Sequence, residues 1–380
     1  MPPATPRPSA LGGYEDWPGW MRGRPLLAGD PAAAGLAEVL GVPRPDGRPE
    51  VRAERSWAED GVEVVELTWH VGLGPSTTAW VLRPAVGPGG GGGGLLPGIL
   101  LLHCHAGVKS IGAERLVRTP GPTPVAVRLR DDLYGGRSLA ADLARRGAVV
   151  LVHDTFAWGT RGFDLDPLPA SLVEPVRRAE VAWAAEGVTP DPWDRYDLAA
   201  ALHEHVVAKA AGLLGTSFAG MVAHDDLVAL GVLRAQQGVD AARTAAVGFS
   251  GGGGRAAVLA SLDPDLRAAV VAAMMTTTDA LLPHYADAHS WLLTTPAPRG
   301  RFGLPEVAAA RGAHRLLVLS FADDPIFPPD GVRAAHAELA ERFAASRAGG
   351  SLEEHVLPGG HVLTVAAQDR VADFLDRALS

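Results

Sequence analysis

Two kinds of apolar patterning divide this chain. Glu50 to Arg55, Val62 to Val71 and Thr78 to Arg83 alternate apolar with polar residues, as half-buried antiparallel strands near a sheet edge do. Gly89 to Gly94 then form an unbroken glycine run, which predicts a floppy solvent loop because ordering it would cost much backbone entropy. Beyond it the pattern changes. Ile99 to His103, Ala148 to Val152, Ala245 to Phe249, Ala268 to Ala273 and Arg315 to Ser320 are largely continuous apolar runs of strand length, which is what strands buried on both faces require. A further strand is expected around Glu353 to Leu357. Helical patterns fall between them at Ser138 to Arg146, Asp197 to Leu214, Ser217 to Gln237, Arg255 to Ala260, Asp330 to Ser346 and Leu363 to Leu379.

Strands alternating with helices predict a doubly wound, mostly parallel sheet carrying antiparallel strands on its N-terminal side. Residues 51–380 form the expected main domain. Residues 1–50, with Trp17, Trp20 and a short helical stretch at Ala32 to Leu40, read as an arm packed on it, disordered at its start. Two long insertions, about 156–196 and 276–305, leave the C-terminal ends of strands. Ligands bind there in open α/β sheets, so the insertions are expected to form pocket walls or a lid.

Composition narrows the class without naming a chemistry. A chain of 380 residues, 47% hydrophobic, can bury a large core. A net charge of -9 argues against a nucleic-acid partner. Cys104 is the single cysteine, so folding needs no oxidising compartment. The first residues lack an apolar signal core, and no run of about 18 apolar residues could span a bilayer. A cytoplasmic location without membrane partners is expected, and the sequence is compatible with a homo-oligomer.

The chemistry enters at Gly248-Phe249-Ser250-Gly251-Gly252, where an apolar strand stops at a serine and a helix follows. This G-x-S-x-G pattern is that of a nucleophile elbow, a sharp turn that lifts the serine hydroxyl out of the sheet. The overlapping Gly251 to Ala256 also fits the dinucleotide fingerprint G-x-G-x-x-A, but no carboxylate follows the next strand to hold a ribose. A serine hydroxyl is a poor nucleophile until a base takes its proton, and that base needs an orienting carboxylate. Downstream, Asp323-Asp324-Pro325 follows a buried strand, and Gly359-Gly360-His361 follows the last one. His361 is the expected base and Asp324 the expected orienter, with Asp323 as the alternative. An oxyanion hole would take the Gly251 N–H and, from Leu102-His103-Cys104-His105-Ala106-Gly107, the N–H of His105.

Other polar clusters carry less. His103, Cys104 and His105 would alternate across a strand and His203 and His205 diverge on a helix, so no metal site is expected. Asp154 reads equally as a pocket residue or as a turn residue bonded to backbone. Trp158, His289 and Trp291 are candidate pocket-wall residues, with plain packing as an equal alternative; as wall residues the two tryptophans would crowd the acyl end in favour of short acyl chains. Gly107-Val108-Lys109-Ser110 has only the tail of a phosphate loop.

On these motifs the chain, over roughly residues 50–380, resembles the α/β-hydrolases of the dienelactone hydrolase and acetylxylan esterase group. The matching segments are Leu102 to Gly107, Tyr134 to Ala144, Leu151 to Gly159, Gly248 to Gly252, Asp324 to Pro328 and Gly360-His361. The resemblance implies a Ser-His-Asp hydrolase acting without cofactor on small esters, acetylated sugars among them. Two departures stand out: dienelactone hydrolases proper use cysteine where this chain has Ser250, and Cys104 replaces the usual glycine of the oxyanion loop, where it would alter the loop or narrow the acyl site. Members of the group also cleave thioester, amide and C–C bonds, and a hydrolase-like protein that only binds a ligand is the alternative from another class.

Overall fold

The computed structural model describes residues 9, 11–30, 35–85, 94–282, 284–294 and 303–380. Gly89 to Gly93, and parts of the expected arm and second insertion, lie outside these. Nine strands form one sheet: β1 (Arg52–Glu59), β2 (Val62–Trp69), β3 (Thr77–Pro84), β4 (Leu96–Leu102), β5 (Val149–His153), β6 (Val239–Phe249), β7 (Ala268–Ala272), β8 (Arg315–Phe321) and β9 (Ser351–Leu357). Their order is β1-β2-β3-β5-β4-β6-β7-β8-β9. Pairing is antiparallel from β1 to β5 and parallel from β5 onward.

The helices are α1 (Trp17–Met21), α2 (Leu36–Leu40), α3 (Pro124–Tyr134), α4 (Leu139–Arg145), α5 (Ala170–Ala185) and α6 (Pro192–Leu213). They continue with α7 (Phe218–Arg234), α8 (Gly251–Leu262), α9 (Thr278–Leu281), α10 (Leu304–Ala309), α11 (Pro329–Ala345) and α12 (Val365–Leu379).

Pleating sends alternate strand residues to opposite cores. In β4, Leu100 and Leu102 pack with α7, α8 and α11, whereas Ile99 and Leu101 pack with α4 and α12. The continuous apolar runs are therefore explained by helices on both faces. A third core lies over one end of the sheet. There Tyr14 and Trp17 of the arm meet Phe156, Trp158 and Phe163, with Val207 of α6 and Phe218 of α7.

Differences from the sequence expectation have local causes. Segment 156–196 contains α5, which buries Leu172 and Val176 and carries Pro175 in its interior, a residue that reads as a helix boundary. Helix α6 begins at Pro192, earlier than Asp197, because Asp191 and Asp194 form a reciprocal capping box there. Since β4 through β9 run parallel, with their C-terminal ends at one edge, the loops leaving those ends can meet.

Candidate active site

Ser250 joins β6 to α8 with φ 55 and ψ -125, a conformation L-residues rarely adopt. Its N–H donates to the Ala272 carbonyl at 2.8 Å, which anchors the turn to β7. The flanking glycines have a visible steric reason. A Cβ on Gly248 would overlap the Gly252 carbonyl, and one on Gly252 would overlap the Leu102 carbonyl of β4. The strand can thus pass into the helix only with hydrogen at both positions.

The loop after β9 brings His361 to this turn, and the loop after β8 brings Asp324. The Asp323 N–H donates to the Gly359 carbonyl at 3.0 Å, which ties the two loops together. His361 Nε2 lies 2.8 Å from Ser250 Oγ, and His361 Nδ1 lies 2.7 Å from Asp324 Oδ2. A carboxylate only accepts hydrogen bonds, so this geometry puts the proton on Nδ1 and leaves Nε2 to accept from the serine hydroxyl. Asp324 is buried and its Oδ1 accepts from the Ile326 N–H at 3.1 Å, whereas Asp323 is exposed. Of the two carboxylates, Asp324 is the one that meets the imidazole. Phe249 and Phe327 flank the His361 ring at 4.9 and 6.2 Å between centroids.

The loop after β4 closes the other side. A Cβ on Gly251 would come 3.2 Å from the His105 nitrogen, so the two backbones are adjacent. Neither amide has an acceptor among the described residues. Gly251 also opens α8, whose positive end faces the same point. His105 Nδ1 accepts from the Gly107 N–H at 2.9 Å, which folds the loop on itself with Ala106 at φ 57. Cys104 does not line the cavity over Ser250: its side chain is buried in the core with α4 and α12, its sulfur 3.4 Å from Arg115 Nη1.

Above Ser250 is a cavity of about 180 Å³, lined by His105, Gly251, Met274, His289, Leu292 and Phe327 among others. His289 therefore stands where expected, held by a contact of 3.1 Å from Nε2 to the Ile326 carbonyl, and burial lowers its pKa. Trp158 and Trp291 do not line this cavity. Trp158 is fully buried behind His105, 5.2 Å between ring centroids, because it belongs to the third core. Trp291 turns toward α6, where its Nε1–H donates to His205 Nδ1 at 2.9 Å. Neither ring crowds an acyl group. Asp154 takes its structural role, accepting from the Ala113 and Thr160 N–H groups at 2.7 and 2.8 Å.

A buried charge cluster behind His105 escaped the sequence reading. Lys109 Nζ lies 2.6 Å from Glu204 Oε2 and 3.5 Å from the Trp158 ring centre. His105 Nε2 is 3.6 Å from the same carboxylate oxygen, and the Trp291 N–H donates to Glu204 Oε1 at 2.8 Å. Burial alone would raise the Glu204 carboxyl, but Lys109 against it, with His105 beyond, holds it down at about 2. Asp197 on α6 accepts from the Lys109 and Ser110 N–H groups at 2.8 and 2.7 Å. Glu204 thus links the loop after β4, helix α6 and the second insertion. Its signal in the sequence was faint, one lysine and one glutamate 95 positions apart.

No protein-family model matches the sequence, and no curated protein matches it. Solved structures do. A Bacteroides fragilis protein provisionally described as an acetyl xylan esterase superposes with TM-score 0.60 at 17% identity, covering 92% of this chain and 78% of its own. A glucuronoyl esterase from Solibacter usitatus gives TM-score 0.57 at 12% identity, covering 100% and 99%. Acetyl xylan esterase 1 from Thermoanaerobacterium sp. gives 0.52 at 17% identity, covering 97% and 96%. Identities this low establish the fold, and the chain has that of the α/β-hydrolases.

Proposed function

We propose that this protein is a serine hydrolase that cleaves a small carboxylic ester through an acyl-enzyme. One observation carries the reading: a continuous hydrogen-bonded chain from Ser250 Oγ through His361 to the buried Asp324 carboxylate. His361 Nε2 takes the hydroxyl proton as Ser250 Oγ attacks the ester carbonyl carbon. The negative charge that develops on the carbonyl oxygen is met by the Gly251 and His105 N–H groups, which have no other acceptor among the described residues. Collapse of the tetrahedral species breaks the bond to the alcohol, and His361 returns its proton to the departing alkoxide. Water, deprotonated by the same imidazole, then frees the acid and restores Ser250. Asp324 keeps the imidazole in the productive tautomer and stabilises the imidazolium.

No cofactor is needed for these steps. The esterases among the structural neighbours favour an ester over an amide, thioester or C–C bond, and acetylated sugars are natural first candidates. The decisive experiment pairs p-nitrophenyl acetate hydrolysis with labelling by a fluorophosphonate probe. Wild type should turn over the ester and label at Ser250. Ser250→Ala should lose label and about 10⁴-fold or more in kcat with its fold intact. Turnover that survives this substitution would remove the assignment. Absence of both labelling and turnover in wild type would favour a non-catalytic binding protein.

A further inference from the structure

A second cavity lies against the first. It measures about 90 Å³ and is lined by Leu36, Leu40, Val222, Val258, Leu304 and Val307 among others. Met274, Leu292 and Leu293 line both cavities, so three apolar side chains form the partition between them. Met274 is the adaptable member. It follows Ala273, whose φ of 52 departs from the strand geometry of β7, and its Cε would lie 3.1 Å from a Cβ on Gly254. Methionine is unbranched and repacks at low cost, which suits a partition that can yield.

The second cavity is selective by what it lacks. Its charged lining residues, Asp226 and Arg255, are paired with each other and tied to the fold. Arg255 Nη2 and Nε meet Asp226 at 2.6 and 3.0 Å, Arg255 Nη1 donates to the His103 carbonyl at 3.1 Å, and His153 Nε2 lies 3.0 Å from Asp226. Both Asp226 oxygens and three of the five Arg255 N–H groups are thus committed to the fold, the two charges offset each other, and the other side chains of the wall are apolar. The two tryptophans expected to restrict chain length stand elsewhere.

We infer that the second cavity receives an aliphatic arm of the substrate, admitted past Met274, so that the ester cleaved at Ser250 carries a medium-length hydrocarbon chain. The inference rests on the serine-hydrolase reading and sets an ester with a hydrocarbon arm in place of acetylated sugars as the substrate class. A buried methylene should raise kcat/KM about fourfold. The arm belongs to the acid or to the alcohol, and two substrate series separate the cases: p-nitrophenyl acetate, butanoate, hexanoate and octanoate, and the acetates of ethanol, butanol and hexanol.

One series should rise with chain length in the wild type. Val258→Trp, which fills the cavity from α8, should lower the hexyl-to-shortest ratio of kcat/KM at least tenfold, and Met274→Ala should raise it. Should tryptophan at position 258 prevent folding, Val39→Trp fills the cavity from another wall. A kcat/KM that fails to rise with chain length in either series, or a folded tryptophan variant with an unchanged ratio, overturns the inference and leaves the hydrolase reading standing. No turnover of any ester together with no fluorophosphonate labelling of Ser250 overturns both.

Discussion

At the scale of single residues, the site depends on which of two adjacent carboxylates faces the imidazole. Asp324→Asn should lower kcat about 10⁴-fold, because an amide cannot hold His361 in the tautomer that accepts the serine proton. Asp323→Asn should leave kcat within about twofold, its side chain being exposed and away from the ring. Steady-state kinetics on the same ester decide between them. The sequence had narrowed the orienter to these two and no further, since spacing places a loop without saying which side chain turns inward. The turn at Ser250 was legible for a firmer reason: the steric demands of the elbow force glycine around the serine. Trp158 and Trp291 serve packing and not the pocket, a choice the sequence leaves open and the third core decides.

At the scale of elements, β6, β8 and β9 each deliver one member of the Ser-His-Asp set, and α6 holds the remaining wall in place. The buried Lys109–Glu204 pair joins α6 to the loop that carries His105. Removing one member leaves an uncompensated buried charge, so Glu204→Gln or Lys109→Met alone should destabilise by about 3–5 kcal/mol, and the double variant by clearly less. Thermal unfolding of the three proteins checks this. In the folded double variant kcat should still drop, with KM little changed, if the pair positions the oxyanion loop. Strands and most helices were readable from periodicity because burial on two faces leaves a strong pattern. Helix α5 was not, since Pro175 falls inside it and a proline within a helical pattern reads as its end.

At the scale of the whole molecule, the two sheet-flanking cores make up most of the buried interior, and some of that interior is titratable. His314 is buried and its Nε2 has no partner among the described residues. Burial lowers its pKa to about 4, while the unfolded chain keeps the ordinary value near 6.5. Acid therefore protonates the unfolded chain first. Stability from this group is whole above about pH 6.5 and is lost as pH falls toward 4, on the order of 3 kcal/mol at most. His203, lowered to about 4 by burial and then by Lys109, acts in the same sense. Denaturant midpoints measured from pH 7 to pH 4 should fall, and His314→Phe should flatten the slope.

The turn at Ser250 runs the other way, since it holds an L-residue where glycine would rest more easily. Ser250→Gly should melt higher than Ser250→Ala by roughly 1 kcal/mol of stability, both being inactive. A protein selected only for endurance would carry glycine at that corner, so the serine marks a place where durability has been traded for reactivity.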